Sequence, residues 1–167
     1  MLTLAAEHPH IYVDTVHISA EEAMRLVDLS KKYGYKKIVV SSSVSKIATI
    51  DQLKEMAKKG AFIEYTLGAY TAAQIIPLTH YYVETEYSSV DEGMSGEAEG
   101  GIKSAADAIR EIGPEKCIMS TDFGRYALST PVEGMRQFIA CMLDLGFSPD
   151  EIQKMVKTNP EKLLGLK

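Results

Sequence analysis

Strand-like and helix-like patterns of hydrophobic residues alternate along the chain. Residues 11–18 predict a strand. Ser19 and Glu22 then form a capping box, in which each side chain satisfies the other residue's backbone N–H, and this predicts that a helix begins there. Apolar residues at helical spacing continue to Gly34, a residue that suits the left-handed position at a helix end. The first unit is therefore a strand followed by a helix.

Two more strands follow at even spacing. Residues 36–41 contain three consecutive β-branched residues, which favour a strand covered on both faces. Thr49 and Gln52 form a second capping box, and the helix that they open is predicted to end at Gly60. A third strand is predicted at residues 61–66. The three strands begin 25 residues apart, a spacing that favours right-handed parallel crossovers.

The region after the third strand is predicted to be long and irregular. Residues 84–99 are acidic and form either a lid over a site or a disordered loop. Tyr81, Tyr82 and Tyr87 either contact a substrate or pack beneath that loop. A helical pattern resumes at residues 102–112.

A fourth strand is predicted at residues 116–121, and a sharp turn at Asp122-Phe123-Gly124 follows it. Thr130 and Glu133 form a capping box, with proline at the first helical position, and open a long helix. Two short helical segments are predicted beyond it, the last at residues 159–164.

These elements predict an α/β fold built of parallel βα units. We interpret it as half of a TIM-like (β/α)8 barrel with extra C-terminal helices, in a single domain at residues 1–167. Half of a barrel would leave strand edges and an apolar face open. Three arrangements would cover them: a second copy in a homo-oligomer, an N-terminal half-barrel partner, or rearrangement into a small open sheet with helices on both sides.

Composition and charge narrow the function classes. Hydrophobic residues make up 46% and charged residues 25%, and no apolar run is long enough to span a bilayer, so no membrane partner is expected. No secretory or transit segment is apparent, which predicts a cytoplasmic location. The net charge of −5, without a Lys/Arg stripe, argues against nucleic acid. Cys117 and Cys141 lack metal-ligand spacing and are expected to be buried, reduced thiols.

The candidate functional residues are the polar groups at the C-terminal ends of the strands, because these ends meet at one mouth in a parallel barrel. They lie at residues 15–17, 41–43, 64–66 and 120–122. Asp122 is the first candidate, since a carboxylate there can bind a metal or take a proton from metal-bound water. The alternative is that Asp122 caps the turn that follows it.

The other candidates each have two interpretations. His17 either binds a divalent cation or forms a hydrogen bond near the start of the helix. Glu64 either points into the barrel as a second acid–base group or lies where a helix covers the sheet. The serines around Ser42 either bind an anion or form a polar loop. His8 and His10 precede the first strand, so we expect them in a solvated N-terminal segment rather than at a metal site.

Several longer motifs resemble a known family. The C-terminal third contains Ile-Gly-Pro-Glu-Lys-Cys-Ile-Met-Ser-Thr-Asp-Phe-Gly and Asn-Pro-Glu-Lys-Leu-Leu-Gly-Leu, with Pro-Val-Glu-Gly-Met-Arg-Gln-Phe-Ile between them. Asp-Thr-Val-His-Ile-Ser-Ala-Glu-Glu and Gly-Ala-Phe-Ile-Glu-Tyr-Thr occur earlier. Together they resemble the C-terminal half of amidohydrolase-superfamily barrels, in particular phosphotriesterase-like and uncharacterised metal-dependent hydrolases. The C-terminal motifs are the more specific.

The resemblance implies roles for Asp122 and His17. Asp122 matches the aspartate after the eighth barrel strand, which ligates the metal and handles the proton of the attacking hydroxide, and His17 matches the fifth-strand histidine. A divalent metal, zinc in the first instance, would activate water against an amide, ester or phosphoester in a small-molecule substrate. From their places at the strand ends, and not from the resemblance, Glu64 and Ser42 are predicted to contact the substrate.

Two departures from the family pattern leave the function open. Serines around Ser42 stand where the resemblance leads us to expect the sixth-strand histidine. The remaining family ligands would belong to an N-terminal half-barrel. The sequence is therefore consistent with a metal-dependent hydrolase completed by another chain or copy, and also with a non-catalytic binding or assembly domain that retained the scaffold.

Overall fold

A four-stranded, all-parallel sheet organises the described part of the chain. The computed structural model describes residues 2–8, 10–70, 101–124 and 128–166. Within them the strand order is β1-β2-β3-β4, so that neighbours in sequence are neighbours in the sheet. This confirms the predicted α/β fold with parallel strands. The strands are β1 Val13–Asp14, β2 Ile38–Val40, β3 Phe62–Thr66 and β4 Cys117–Ser120.

Helices connect the strands and follow the last one. The α-helices are α1 Leu2–Ala6, α2 Ala20–Lys32, α3 Ser42–Ser45, α4 Ile50–Lys58, α5 Gly101–Ile112, α6 Pro131–Asp144, α7 Pro149–Gln153 and α8 Asn159–Leu164. Short 3-10 turns occupy Leu67–Tyr70 and Pro114–Lys116, and Lys154–Thr158 forms a π-helical turn. No helix in these described ranges combines the length and the apolar character that crossing a bilayer requires. The predicted acidic loop and its tyrosines lie outside the described residues.

The helix starts agree closely with the sequence. Two predicted capping boxes, Ser19 with Glu22 and Thr49 with Gln52, are present with both hydrogen bonds, and a third complete box joins Ser148 with Glu151 at the start of α7. The fourth is half formed, because Thr130 accepts from the Glu133 backbone N–H while the Glu133 carboxylate lies 3.5 Å from Arg136. Capping residues act within one turn of chain, which makes them readable from sequence.

The first strand is much shorter than residues 11–18. Among the strands that the structure describes, β1 pairs with β2 alone, so it lies at the edge of this four-stranded sheet. Val16 leaves the extended conformation with a φ of +49°, and its backbone N–H is bound by the Asp14 carboxylate at 3.0 Å. A side chain that takes over a backbone donor in this way ends the strand. The structure also differs from the predicted polar loop around Ser42, because Ser42 begins the short helix α3.

The two faces of the sheet carry different clusters. Alternate strand residues such as Val40, Ile63 and Met119 belong to the main core, which α2, α4, α5 and α6 cover. The residues between them point to the opposite face, because side chains alternate along a strand. There a smaller cluster contains Val39, Ile118, Phe62 and Leu163, the last from α8.

Asn159 attaches the C-terminal segment to β4. Its side chain is fully buried, and its Nδ2 donates to the carbonyl oxygens of Pro114 and Cys117, each at 2.7 Å. Lys37 Nζ also donates to the Leu164 carbonyl at 3.1 Å. Buried carbonyls need such donors, so these bonds determine where α8 packs against the sheet.

Candidate functional site

Glu64 and Ser120 form the centre of the candidate site. Glu64 is paired in register with Ile118, and its side chain therefore lies on the face of the smaller cluster, opposite the main core. Ser120, two residues further along β4, lies on the same face and donates its hydroxyl proton to Glu64 Oε1 at 2.9 Å. The backbone N–H of Ser42 is a second donor to the Glu64 carboxylate. Two strands and the start of α3 thus position one acidic group.

The environment of Glu64 raises its pKa above that of an ordinary carboxyl. Burial is the main cause, because removal of water disfavours the charged form. The hydrogen bonds from Ser120 and Ser42 oppose that effect, while the negative charges of Asp14 and Asp122 reinforce it. Carboxyls with raised pKa values are suited to holding and releasing protons in catalysis.

Asp14 is a site residue that the sequence analysis missed. It is paired in register with Val39 and so shares the face of Glu64. The polar group selected at the end of the first strand was residues 15–17, which starts one position too late because the strand ends early. The available signal was the two-residue period of a strand, which places Asp14 on the opposite face from Val13 and Thr15.

Ser42 and its neighbours form a hydrogen-bonded network at the end of β2. Thr66 Oγ1 donates to Ser42 Oγ at 2.9 Å, and Ser45 Oγ donates to the Glu64 carbonyl oxygen at 3.0 Å. Ser41 and Ser43 both donate to the Val16 carbonyl oxygen, at 2.7 and 2.6 Å. The serine cluster therefore joins β1, β3 and α3 and holds the Ser42 backbone N–H toward Glu64.

Asp122 lies two residues after the end of β4, in a conformation that is unusual for a residue with a side chain. Its φ is +54°, in the left-handed region that Asp tolerates better than most residues. The 3-10 turn after β3 packs closely against it, since a Cβ added to Gly68 would lie 3.4 Å from Asp122 Cβ. The Gly68 N–H donates to the Thr121 carbonyl oxygen at 2.9 Å. Asp122, whose side chain is exposed, thus begins a turn. The segment that follows β3 holds this turn through the hydrogen bond from Gly68 to Thr121.

The two residues expected to ligate metal do not complete a site by themselves. His17 is exposed in the connection between β1 and α2. Across residues 2–8, 10–70, 101–124 and 128–166, no group of three or more His, Cys, Asp or Glu side chains is arranged to hold a metal ion. His17 and Asp122 would need further ligands from beyond those ranges. His8 and His10 are exposed ahead of β1, with ring centroids 5.8 Å apart.

Both cysteines are free thiols in the structure. Cys117 is buried in β4, and burial raises the pKa of its thiol well above the usual value. Cys141 is only partly buried, so the expectation of burial is met by Cys117 alone. A thiol with a raised pKa is a poor nucleophile. Cys117 is therefore a packing residue.

One protein family matches part of the chain. Residues 1–64 match a family of unknown function (DUF6282). The match spans β1, β2 and most of β3, and it includes Asp14, Ser42 and Glu64 but not Ser120 or Asp122. No curated protein and no solved structure matches the chain.

Proposed function

We propose that the carboxyl edge of the sheet is a hydrolase active site in which Glu64 exchanges the proton. The observation that carries this proposal is the environment of the Glu64 carboxyl. This group is half-buried and accepts hydrogen bonds from the Ser120 hydroxyl and the Ser42 backbone N–H, and its pKa is raised. An acid held in one orientation with a raised pKa is what general acid–base catalysis requires. The motif resemblance to amidohydrolase barrels supplies the reaction class.

The reaction that fits this group is addition of water to an amide, ester or phosphoester. The ionised Glu64 carboxylate takes a proton from water as the water oxygen bonds to the carbonyl carbon or phosphorus. The resulting carboxylic acid returns that proton to the leaving nitrogen or oxygen as its bond breaks. Between these two proton transfers Glu64 is a neutral carboxylic acid. The negative charges of Asp14 and Asp122 favour this neutral form.

The half-barrel interpretation of the fold is part of the same proposal. The sequential strand order and the placement of α2, α4, α5 and α6 in the main core support it. A doubly wound sheet would instead reverse its strand order. A second copy or an N-terminal half-barrel would then complete the barrel, and the mass of the protein in solution tests the first of these.

Substitution of Glu64 tests the proposed chemistry. With 4-nitrophenyl acetate and bis(4-nitrophenyl) phosphate as substrates, we expect Glu64→Gln to lower the rate by about a hundredfold, the lower end of what a general acid or base contributes. Glu115→Gln is the control, since Glu115 is exposed at the opposite end of β4. Equal rates for Glu64→Gln and the unsubstituted protein would overturn the assignment.

A metal-dependent form of this hydrolase is a further element of the proposal. A divalent cation would polarise the scissile group, and Asp122 and His17 would supply two of its ligands. The incomplete ligand set means that the remainder must come from another chain or from residues beyond the described ranges. Zinc content measured after Asp122→Ala and His17→Ala, with His10→Ala as the matched control, tests this directly. We expect loss of zinc only in the first two variants.

A non-catalytic binding domain is the second candidate function. The incomplete metal ligand set and the serines in place of the expected histidine favour it. In that case the same carboxyl edge would bind a small molecule without turning it over. Absence of hydrolysis by metal-loaded protein, together with ligand binding that Glu64→Gln weakens, would identify this alternative.

A further inference from the structure

A lysine-lined cavity lies at the end of the sheet opposite the candidate active site. Its volume is about 400 Å³, within the range of small-molecule sites. It is surrounded by the end of α2, the two residues that follow α4, the first residue of β2, and the residues that immediately precede β3 and β4. We define the lysine cavity by its four cationic residues, Lys31, Lys36, Lys59 and Lys116.

Most of the positive charge at this cavity is not neutralised by neighbouring carboxylates. Lys59 is paired with Asp28 at 2.5 Å and with Glu55 at 2.7 Å. Lys31, Lys36 and Lys116 form no ion pair with any described residue, and Lys116 Nζ lies 5.8 Å from the centre of the Phe62 ring. Three such lysines around one cavity stand out in a protein of net charge −5. Their mutual repulsion is relieved if an anion occupies the space between them.

Part of the cavity wall is formed by buried apolar side chains. Tyr35, Ile38 and Ala61 line it and are almost completely buried. The Tyr35 hydroxyl donates to the Ile11 carbonyl oxygen at 2.5 Å, which holds the ring in place. A preformed apolar wall with a cationic rim suits a compact ligand that carries an apolar part and a concentrated negative charge.

The favourable interaction of cations with the C-terminal ends of helices does not by itself explain why four lysines surround this cavity. α2 and α4 end at the cavity, and cations favour such ends. However, the backbone N–H groups of Tyr35 and Ala61 already donate to the last-turn carbonyls of Ser30 and Met56. Lys32 and Lys58 also lie in the last turns of α2 and α4, but they do not line the cavity. Lys36 and Lys116 belong to neither helix.

We propose that the lysine cavity binds a small phosphorylated molecule. Ammonium groups bind phosphate oxygens as point charges, and several of them around one cavity can share a phosphate group without a fixed fork geometry. The cavity and the candidate active site lie at opposite ends of the strands, so this binding does not depend on the function proposed for Glu64.

Calorimetric titration with inorganic pyrophosphate at constant ionic strength tests this site. We expect saturable binding with one site per chain, weakened at least tenfold in the double variant Lys31→Gln, Lys36→Gln. The double variant Lys32→Gln, Lys58→Gln removes the same amount of charge from positions outside the cavity, in the last turns of α2 and α4, and should leave binding unchanged. Lys32 and Lys58 are exposed, and so are Lys31 and Lys36, so both double variants should fold.

Three results would overturn the proposal. The first is the absence of saturable heat with pyrophosphate. The second is equal weakening in the two double variants, which would indicate attraction to surface charge alone. The third is equally tight binding of citrate, which would show that the cavity recognises carboxylate charge as well as phosphate.

Discussion

Ser120 Oγ lies 2.9 Å from Glu64 Oε1 and donates its proton to that carboxylate. The two residues are 56 positions apart in sequence and lie on adjacent parallel strands. This bond stabilises the ionised form of a carboxyl that burial otherwise drives toward the neutral form. The balance between these effects sets the proton affinity of the candidate catalytic group.

Removal of the Ser120 hydroxyl should therefore raise the pKa of Glu64 further. In Ser120→Ala the carboxylate loses one of its donors, while its burial and the charges of Asp14 and Asp122 remain. A ¹³C NMR titration of the Glu64 side-chain carboxyl measures the change. Ser104→Ala is the control, since the Ser104 hydroxyl donates within α5 to the Gly101 carbonyl oxygen. A Glu64 pKa that is unchanged or lowered in Ser120→Ala would contradict this view of the site.

Glu64 should also make the stability of the protein depend on pH. Its folded-state pKa is raised above the value of 4.5 for an ordinary glutamate, so the contribution to stability is full below that value. It is lost as the pH rises through the folded pKa. Glu64→Gln removes the charge and keeps the shape, and should be stabilising at about pH 8 and nearly neutral at about pH 4. Urea unfolding of both proteins at the two pH values measures this, and a Glu64→Gln variant less stable at the higher pH would refute it.

Gly134 is predicted to be essential for the packing behind Asp122. A Cβ at this position in α6 would lie 2.6 Å from Cε2 of Phe123, a buried ring that follows Asp122. Gly134→Ala should lower the free energy of unfolding by about 1–3 kcal/mol, as overpacked cores do. At Gly124 an added Cβ meets nothing within 4 Å, which makes Gly124→Ala the matched control. Comparable urea midpoints for the two variants would show that Phe123 can move aside.

Asn159 should be more important for stability than its place in a C-terminal helix suggests. Asn159→Ala removes the donor to the Pro114 and Cys117 carbonyl oxygens. The Pro114 carbonyl oxygen keeps the Cys117 backbone N–H as a donor, whereas the buried Cys117 carbonyl oxygen loses the Asn159 donor, which should cost about 1–3 kcal/mol. Gln153→Ala, at an exposed position in α7, serves as the control. Urea unfolding of the two variants measures the difference, and similar midpoints would mean that the carbonyls find other donors.

Local signals account for what the sequence predicted correctly. The three complete capping boxes and the glycine at the end of each long helix act within a few residues, so the helix starts and ends could be read directly. β2 was located because a run of β-branched residues is typical of a buried parallel strand, and the even 25-residue spacing supported the strands on either side of it. Their lengths were overestimated, most of all for β1, because strand ends depend on a neighbouring strand and on side chains such as Asp14.

The sequence by itself determined the order of strands and helices and the residue types that end each strand, since both follow from short-range pattern and capping. Only the tertiary structure decided which of those residues meet. Register brings Asp14, Glu64 and Ser120 onto one face of the sheet, and burial against that face raises the pKa of Glu64. Register and burial arise from contacts between residues far apart in the chain, and no local pattern encodes them.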